Sequence, residues 1–394
     1  MSNQTNPAIV VCAYNRPFAL QRLLRSLQAA YYPPDRPVTL HISIDRDDVP
    51  EVRAVQEVAE GFDWPFGPKL VELQAHHLGL LGHFYASGEL SCRYGQIILL
   101  EDDLLVGAPF YEFAWQALDA YFDDARIAGI SLYSLWFNGY THHPFNALPD
   151  DSDVFFLQIP YTQGQAFTQD QWECFTRWRA AGQHLYGPLP GLHNMFLHFD
   201  TEDWFPIRTR YLAESGRYYV FPRQSLASGV GDSGTHFAQA SHFFQVPLQN
   251  FKRDYQFQAF DQAPAVYDSF FEILPERLNQ LTSAFRGYDY CVDLNGTKAQ
   301  HNLTGKFVLT SRPARKAIRQ FGRSMWPPEA NLLYEVPGEE IRLCAVDDLH
   351  WGGLADLAVR KANYEYATRR HPLGKKALIQ FTLLDWLEKI GFSP

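Results

Sequence analysis

Along the first 135 residues the apolar positions follow two rhythms. Short runs at Ile9–Ala13, Val38–Ile44, Lys69–Leu73 and Gln96–Leu100 have the length and β-branched content of strands. Between them, apolar residues recur at three- and four-residue spacing. Leu20, Leu23, Leu24 and Leu27 predict a helix over Pro17–Ala30. Further helices are predicted at Pro50–Glu60, near His83–Cys92 and at Pro109–Phe122. The last opens on a proline, whose missing N–H is no loss at a helix start. Such alternation predicts an α/β fold with a mixed, mostly parallel sheet covered by helices on both faces. Ligands of such sheets sit beyond the carboxyl ends of the strands.

The middle third is less regular. Val154–Ile159, Thr162–Phe167 and Arg217–Phe221 read as strands, and Asp170–Ala180 as a helix. Ser228–His236 is a Gly- and Ser-rich loop of the kind that closes over ligands. From about residue 251 the pattern changes to strand-like pieces at Tyr288–Val292, Lys306–Leu309 and Ile341–Val346, separated by Pro, Gly and Asn. This predicts a domain over 1–250 and a smaller β-rich appendage over 251–394. A last helix is expected over 373–391, with Leu378, Phe381, Leu384, Trp386, Leu387 and Ile390 apolar.

Composition narrows the function. A net charge of −10 argues against a nucleic-acid partner, which needs clustered Lys and Arg. Aromatic content of 15% suits a cleft for flat ligands or sugar rings as well as a core. Five scattered cysteines with no C-x-x-C pair read as reduced thiols. No signal peptide or membrane span is apparent, so a cytoplasmic location is expected.

The chemistry concentrates in Ile97-Ile-Leu-Leu-Glu-Asp-Asp103, an apolar run ending in three acids. Burying three carboxylates is costly unless they are neutralised, and a divalent cation would do so. Arg16, Asp45 and His77 also fall just after predicted strands, on the same edge as Glu101–Asp103.

Taken together these segments resemble a GT-A-type glycosyltransferase, the nucleotide-diphospho-sugar transferase fold. The likeness is to the N-acetylglucosaminyltransferase I family and to bacterial family-2-like transferases of surface polysaccharides, over about residues 7–245. Val10-Val-Cys-Ala-Tyr-Asn-Arg16 resembles the first strand and turn, whose Arg lies near the uracil. Ile42-Ser-Ile-Asp45 resembles the strand whose terminal Asp binds the base, and Gln74-Ala-His-His77 a segment with a nucleotide-contacting His. Glu101-Asp-Asp-Leu104 with Ala108-Pro-Phe-Tyr-Glu-Phe113 resembles the metal motif and its following helix. The resemblance implies that Glu101 meets the sugar, Asp102 the ribose and Asp103 the metal, Mn2+ or Mg2+.

Thr201-Glu-Asp-Trp204 resembles the segment that carries the base of an inverting transfer. It places the base at Glu202, where the family has Asp, with Asp203 as the adjacent alternative. Acids here also suit a helix N-terminus. Gly231-Asp-Ser-Gly-Thr-His236 resembles a bacterial loop whose His reaches the metal or diphosphate. Gly164 is a place where backbone could approach the donor closely.

The implied activity is metal-dependent transfer from a UDP-sugar, with N-acetylglucosamine the best single donor, to a glycan or lipid-linked glycan. Two other readings share the fold. A sugar-phosphate nucleotidyltransferase needs a Gly-rich loop after the first strand, where Ala13-Tyr-Asn-Arg-Pro17 has no glycine. A non-catalytic carbohydrate-binding protein would not need the acid triplet. Finally, Arg360, Lys361, Arg369, Arg370, Lys375 and Lys376 precede Phe381 and Trp386. This suits a helix lying peripherally on an anionic inner membrane, although Asp385 and Glu388 favour simple packing on the domain.

Overall fold

The computed structural model describes residues 6–182, 189–232 and 240–368, together with Ile379, Thr382, Leu383 and Trp386. Contacts divide the chain into two compact units. The larger comprises Met1–Trp136 and Ala147–Gln280, the smaller Phe137–Asn146 and Leu281–Pro394.

The larger unit begins with β1 (Ala8–Ala13), α1 (Pro17–Gln28), β2 (Leu40–Ile44), α2 (Pro50–Gly61), β3 (Lys69–Leu73), α3 (Gly79–Tyr94) and β4 (Gln96–Glu101). It continues with β5 (Leu104–Val106), α4 (Phe110–Ala120), β6 (Ile127–Ser131), β7 (Val154–Leu157), β8 (Gln165–Thr168) and α5 (Gln169–Ala180). Then come α6 (Trp204–Ser215), β9 (Tyr218–Pro222), β10 (Ala227–Gly229), β11 (Val266–Tyr267) and α7 (Pro275–Leu281).

Nine strands form one mixed, mostly parallel sheet in the order β11-β7-β9-β6-β8-β4-β1-β2-β3. The four at one side, β4, β1, β2 and β3, are all parallel. β8 runs against both β4 and β6. A separate ribbon pairs β5 with β10.

Alternation along β1 explains the layers. Ile9, Val11 and Ala13 share one core with Leu20, Leu23 and Leu24 of α1, Val52 and Val55 of α2, and Phe110 and Phe113 of α4. Cys12 faces the other way, its thiol 3.0 Å from Ser87 Oγ of α3. On that second face Phe84 of α3 contacts Trp172 of α5 and Trp204 of α6.

The smaller unit holds a four-stranded sheet, ordered β12-β13-β15-β14. Its strands are β12 (Tyr290–Asp293), β13 (Phe307–Thr310), β14 (Arg319–Phe321) and β15 (Ile341–Ala345), with α8 (Pro328–Leu333) and α9 (Gly353–Ala367).

The boundary lies later than the pattern change at residue 251. Val266–Tyr267 adds β11 to the large sheet beside β7, which keeps the chain in the first unit up to Gln280. Phe137–Asn146 belongs to the second unit, where Asn146 Oδ1 accepts from Trp326 Nε1 at 2.7 Å. Most of the expected helix at 373–391 lies outside the described residues. So do Arg369, Arg370, Lys375 and Lys376. Ile379, Leu383 and Trp386 are helical and exposed. Among the described residues no helix is long and apolar enough to cross a membrane.

Candidate functional site

Register brings the polar residues together. Ala13 lies opposite Ile44, Ile44 opposite Leu73, and Cys12 opposite Glu101. The four parallel strands therefore end almost level, and the residues just beyond them share a single edge. The Asp45 and Gln74 amides extend the ladder by one bond each, to the carbonyls of Ala13 and Ile44, both at 2.9 Å.

At β4 the ladder stops at Glu101, and Asp102 and Asp103 form the turn into β5. Asp102 is almost fully buried. Arg16 answers it from the end of β1. Its Nη2 lies 2.7 Å from Asp102 Oδ1, and its Nη1 lies 2.9 Å from Asp103 Oδ2. The Tyr14 amide donates to Asp102 Oδ2 at 3.4 Å.

One guanidinium thus faces three carboxyls and does not satisfy them. Burial, then repulsion from Asp103 and Asp102, pushes the Glu101 carboxyl up to about 8 despite Arg16. Burial likewise pushes Asp102 up to about 7, against the pull of Arg16 and with the help of Asp103. The cluster has room for more positive charge.

Asp45 and His77 form a second group on the same edge. Asp45 Oδ1 accepts from the amides of Arg46 (2.9 Å) and Leu78 (2.8 Å), and Oδ2 from that of Gly79 (3.0 Å). Two of these amides are orphan donors at the start of α3, so Asp45 caps that helix from a different segment. His77 is exposed, with Nδ1 3.1 Å from Asp45 Oδ2 and 3.0 Å from the Arg46 carbonyl. Tyr14 joins the groups. Its ring centroid is 5.5 Å from that of His77, and its hydroxyl donates to Asp47 Oδ2. That bond, to a carboxylate held below its usual range by the same contact, pushes the Tyr14 phenol up to about 12.

The expected roles of Arg16 and Asp45 thus meet a different local setting. Arg16 is bonded to the acid pair, and Asp45 to amides. Tyr14, inside the Val10–Arg16 segment but given no role by it, and Asp47, which no motif marks, join the site. Their sequence signal is position, Tyr14 directly after β1 and Asp47 three residues past the end of β2.

Glu202 and Asp203 part company. Asp203 is buried and caps α6, with Oδ1 accepting from the Phe205 amide at 2.9 Å. Its charge is one of those that raise Glu101. The first turn of α6 is fixed to α3 by Trp204, which stacks on Phe84 with centroids 4.1 Å apart and planes 2° from parallel. Glu202 is exposed, and its amide donates to Asp200 Oδ1 at 3.0 Å.

The Gly-rich loop leaves from beside the acids. After β10 the Val230 amide donates to the Asp103 carbonyl at 3.2 Å, and Asp232 pairs with Arg22 of α1. His236 lies outside the described residues. Gly164 has φ +87°, and a Cβ there would meet Leu100 Cδ2 at 3.1 Å and Leu132 Cδ1 at 3.2 Å. The groups that approach its backbone closely are leucines.

Among the described residues no three His, Cys, Asp or Glu side chains are grouped to hold a metal ion. The donors that exist are the hard carboxylate oxygens of Asp103, partly exposed, and Asp102. Such a set would suit Mn2+ or Mg2+ held together with oxygens of a ligand, rather than a cage made of protein alone.

No protein-family model matches this chain, and no curated protein does. Several solved structures are distantly similar. One is the mannosyltransferase PcManGT from Pyrobaculum calidifontis, in complex with GDP-Man and Mn2+. It is 13% identical over 59% of this chain and 60% of that one, with a TM-score of 0.37. Residues 1–349 of S. aureus TarS, in complex with UDP, are 11% identical over 56% of this chain and 59% of that one, at 0.35. GalNAc-T7 with UDP, GalNAc and Mn2+ is 11% identical over 56% of this chain and 43% of that one, at 0.38. The match spans less than two thirds of each of those chains. Likeness this weak assigns no activity, and the site has to carry the reading.

Proposed function

We propose that this chain is a metal-dependent, inverting GT-A-type glycosyltransferase with a nucleotide-diphosphate sugar as donor. UDP is taken as the nucleotide and N-acetylglucosamine as the sugar, on the sequence resemblance alone. The observation that carries the reading is the under-compensated Glu101–Asp103 triplet at the level carboxyl edge of four parallel strands.

Asp103, with Asp102 beside it, would hold Mn2+ or Mg2+. That ion would supply positive charge to a leaving diphosphate. The protein's own residues supply the rest. Asp102 and Asp103 are fixed at a strand end, so their geometry is set before any ligand arrives. Tyr14 and His77 offer ring surfaces at the same edge, suited to a nucleobase.

An inverting transfer also needs a group to take the acceptor hydroxyl proton. We assign this to Asp203 rather than Glu202. Asp203 is close enough to Glu101 to perturb it, whereas Glu202 is exposed. The acceptor is taken as a glycan of bacterial surface-polysaccharide synthesis, borne on a lipid carrier at the cytoplasmic membrane. The exposed Ile379, Leu383 and Trp386 support that last point, and co-sedimentation with anionic vesicles tests it.

The function itself is tested by screening nucleotide sugars for Mn2+-dependent turnover, with calorimetric titration of UDP with and without Mn2+. Turnover of a UDP-sugar that is lost in Asp103→Ala is the expected result. No nucleotide binding under any metal condition overturns the proposal. Pyrophosphate release from a nucleoside triphosphate and a sugar phosphate would instead identify a nucleotidyltransferase.

A further inference from the structure

We infer that Arg16 is a built-in counter-ion for the acid pair, holding Asp102 and Asp103 together in the cation-free protein and competing with a divalent cation for Asp103. The inference rests on the proposed reading in one respect, that Asp103 is a metal ligand.

Three observations carry it. The guanidinium is divided between two carboxylates, Nη2 to Asp102 and Nη1 to Asp103, rather than forked onto one. It therefore bridges the two acids as a small cation would. The two halves also differ in burial. Asp102 has 3% of its side chain exposed, Asp103 30% and Arg16 32%. A pair open to water is easily exchanged, whereas a buried carboxylate keeps its partner. The contact with Asp103 is thus the one that can open while the contact with Asp102 persists.

The third observation is that Arg16 stands against local preference. It is the N-cap of α1, with Pro17 next, and its side chain makes no capping bond. A short polar side chain is favoured there, and a cation is repelled by the helix dipole. Local rules broken without local compensation point to a role elsewhere, here across the sheet at Asp102 and Asp103.

The consequence is an order of events. A divalent cation reaching Asp103 alone must displace Nη1 and sit beside a like charge. A diphosphate arriving with it gives the released guanidinium a new anion. The protein should therefore take up the cation weakly by itself and well together with a nucleotide.

The test uses the full chain as wild type, Arg16→Met and Arg16→Lys. Binding of Mn2+ alone is followed by the EPR signal of the free ion, and melting is measured with and without Mn2+. Arg16→Met should bind Mn2+ about three- to fivefold more tightly than wild type, the size expected from removing a competing ion pair that is open to water. It should melt lower without the cation and regain that loss with it. Arg16→Lys, a charge without the fork, should fall between. Unchanged or weaker Mn2+ affinity in a folded Arg16→Met overturns the inference. If that variant does not fold, an Arg16→Lys affinity no higher than wild type does so instead. Absence of Mn2+ uptake by all forms at millimolar metal also overturns it. A wild type that binds no UDP with Mn2+ defeats the proposed function but leaves the metal-alone comparison standing.

Discussion

Gly88 lies in the middle of α3, where a helix would ordinarily prefer alanine. A Cβ at this position would fall 2.1, 2.3 and 2.5 Å from three ring carbons of Trp172. Carbon contacts are comfortable at about 3.5–4.0 Å, so roughly 1.4 Å must be found. The ring cannot supply it. Trp172 is fully buried, lies against Phe167 with planes 17° apart, and its Nε1 donates to Glu89 Oε1 at 3.0 Å.

Gly88→Ala must therefore push α3 off α5. Overpacking of this kind costs about 3 kcal/mol at the upper end of its usual range, and the gain in helix propensity returns about 1. The net loss of about 2 kcal/mol should lower Tm by roughly 2–4 °C in a chain of 394 residues. The same helix offers its first amides to Asp45 and stacks Phe84 on Trp204 beside Asp203. UDP affinity should fall along with stability. Differential scanning fluorimetry and UDP titration measure both. Adding Trp172→Phe, which removes the obstructing ring carbons, should recover part of the loss. A Gly88→Ala variant that melts at or above wild type would refute the packing argument.

Asp103→Ala should abolish Mn2+-dependent UDP binding with little change in melting, since the side chain is partly exposed; metal dependence retained in calorimetry contradicts this. Asp203→Asn keeps a capping oxygen for α6, so it should leave the fold intact while lowering kcat by about 10²-fold or more with donor affinity unchanged. Glu202→Gln should remain near wild type, and the reverse outcome would move the base to Glu202. The folded-state carboxyls of Glu101 and Asp102 are raised to about 8 and about 7, above their unfolded values of about 4. Their contribution to stability is therefore full below about pH 4 and is lost as pH rises towards 8. A cation held by Asp103 and Asp102 needs Asp102 ionised, so Mn2+-dependent UDP binding should strengthen as pH rises towards about 7 and release protons. Calorimetry in buffers of different ionisation enthalpy reads that release, and pH-independent binding would contradict it.

The strands that build the site were legible because their burial is simple. Ile97–Leu100 and Ile9–Val11 are buried on both faces and appear as unbroken apolar runs. Elements that mix chemistry on their buried side were not. In α6 the apolar Trp204, Ile207, Tyr211 and Leu212 keep helical spacing, but the buried Arg208, Thr209 and Arg210 lie among them and blur the pattern. β6, which contains Gly129, where a Cβ would strike the Tyr219 ring at 2.7 Å, was not among the predicted strands. α9, with Arg360, Lys361 and Asn363 among its apolar residues, was equally invisible. The candidate acids were legible from their place after β4. Arg16 was legible as a residue of the same edge but not as their partner, since no local pattern says which side chain 86 or 87 residues away will pair with them.

The cap on α3 also limits how this edge can hold an anion. Helix N-termini beyond parallel strands are ready receptors for phosphate, with free amides and a positive pole. At α3 that receptor is filled from within, by the Asp45 carboxylate just beyond β2. A phosphate brought to that pole meets a resident negative charge. Charge attraction for a phosphate at this edge is left to the Arg16 guanidinium and to a cation that chelation can remove. Permanent dipoles do not provide it. Where a cation supplies that charge, EDTA would release the ligand while α3 keeps its cap, because the Asp45 bonds to the Leu78 and Gly79 amides do not pass through the cation.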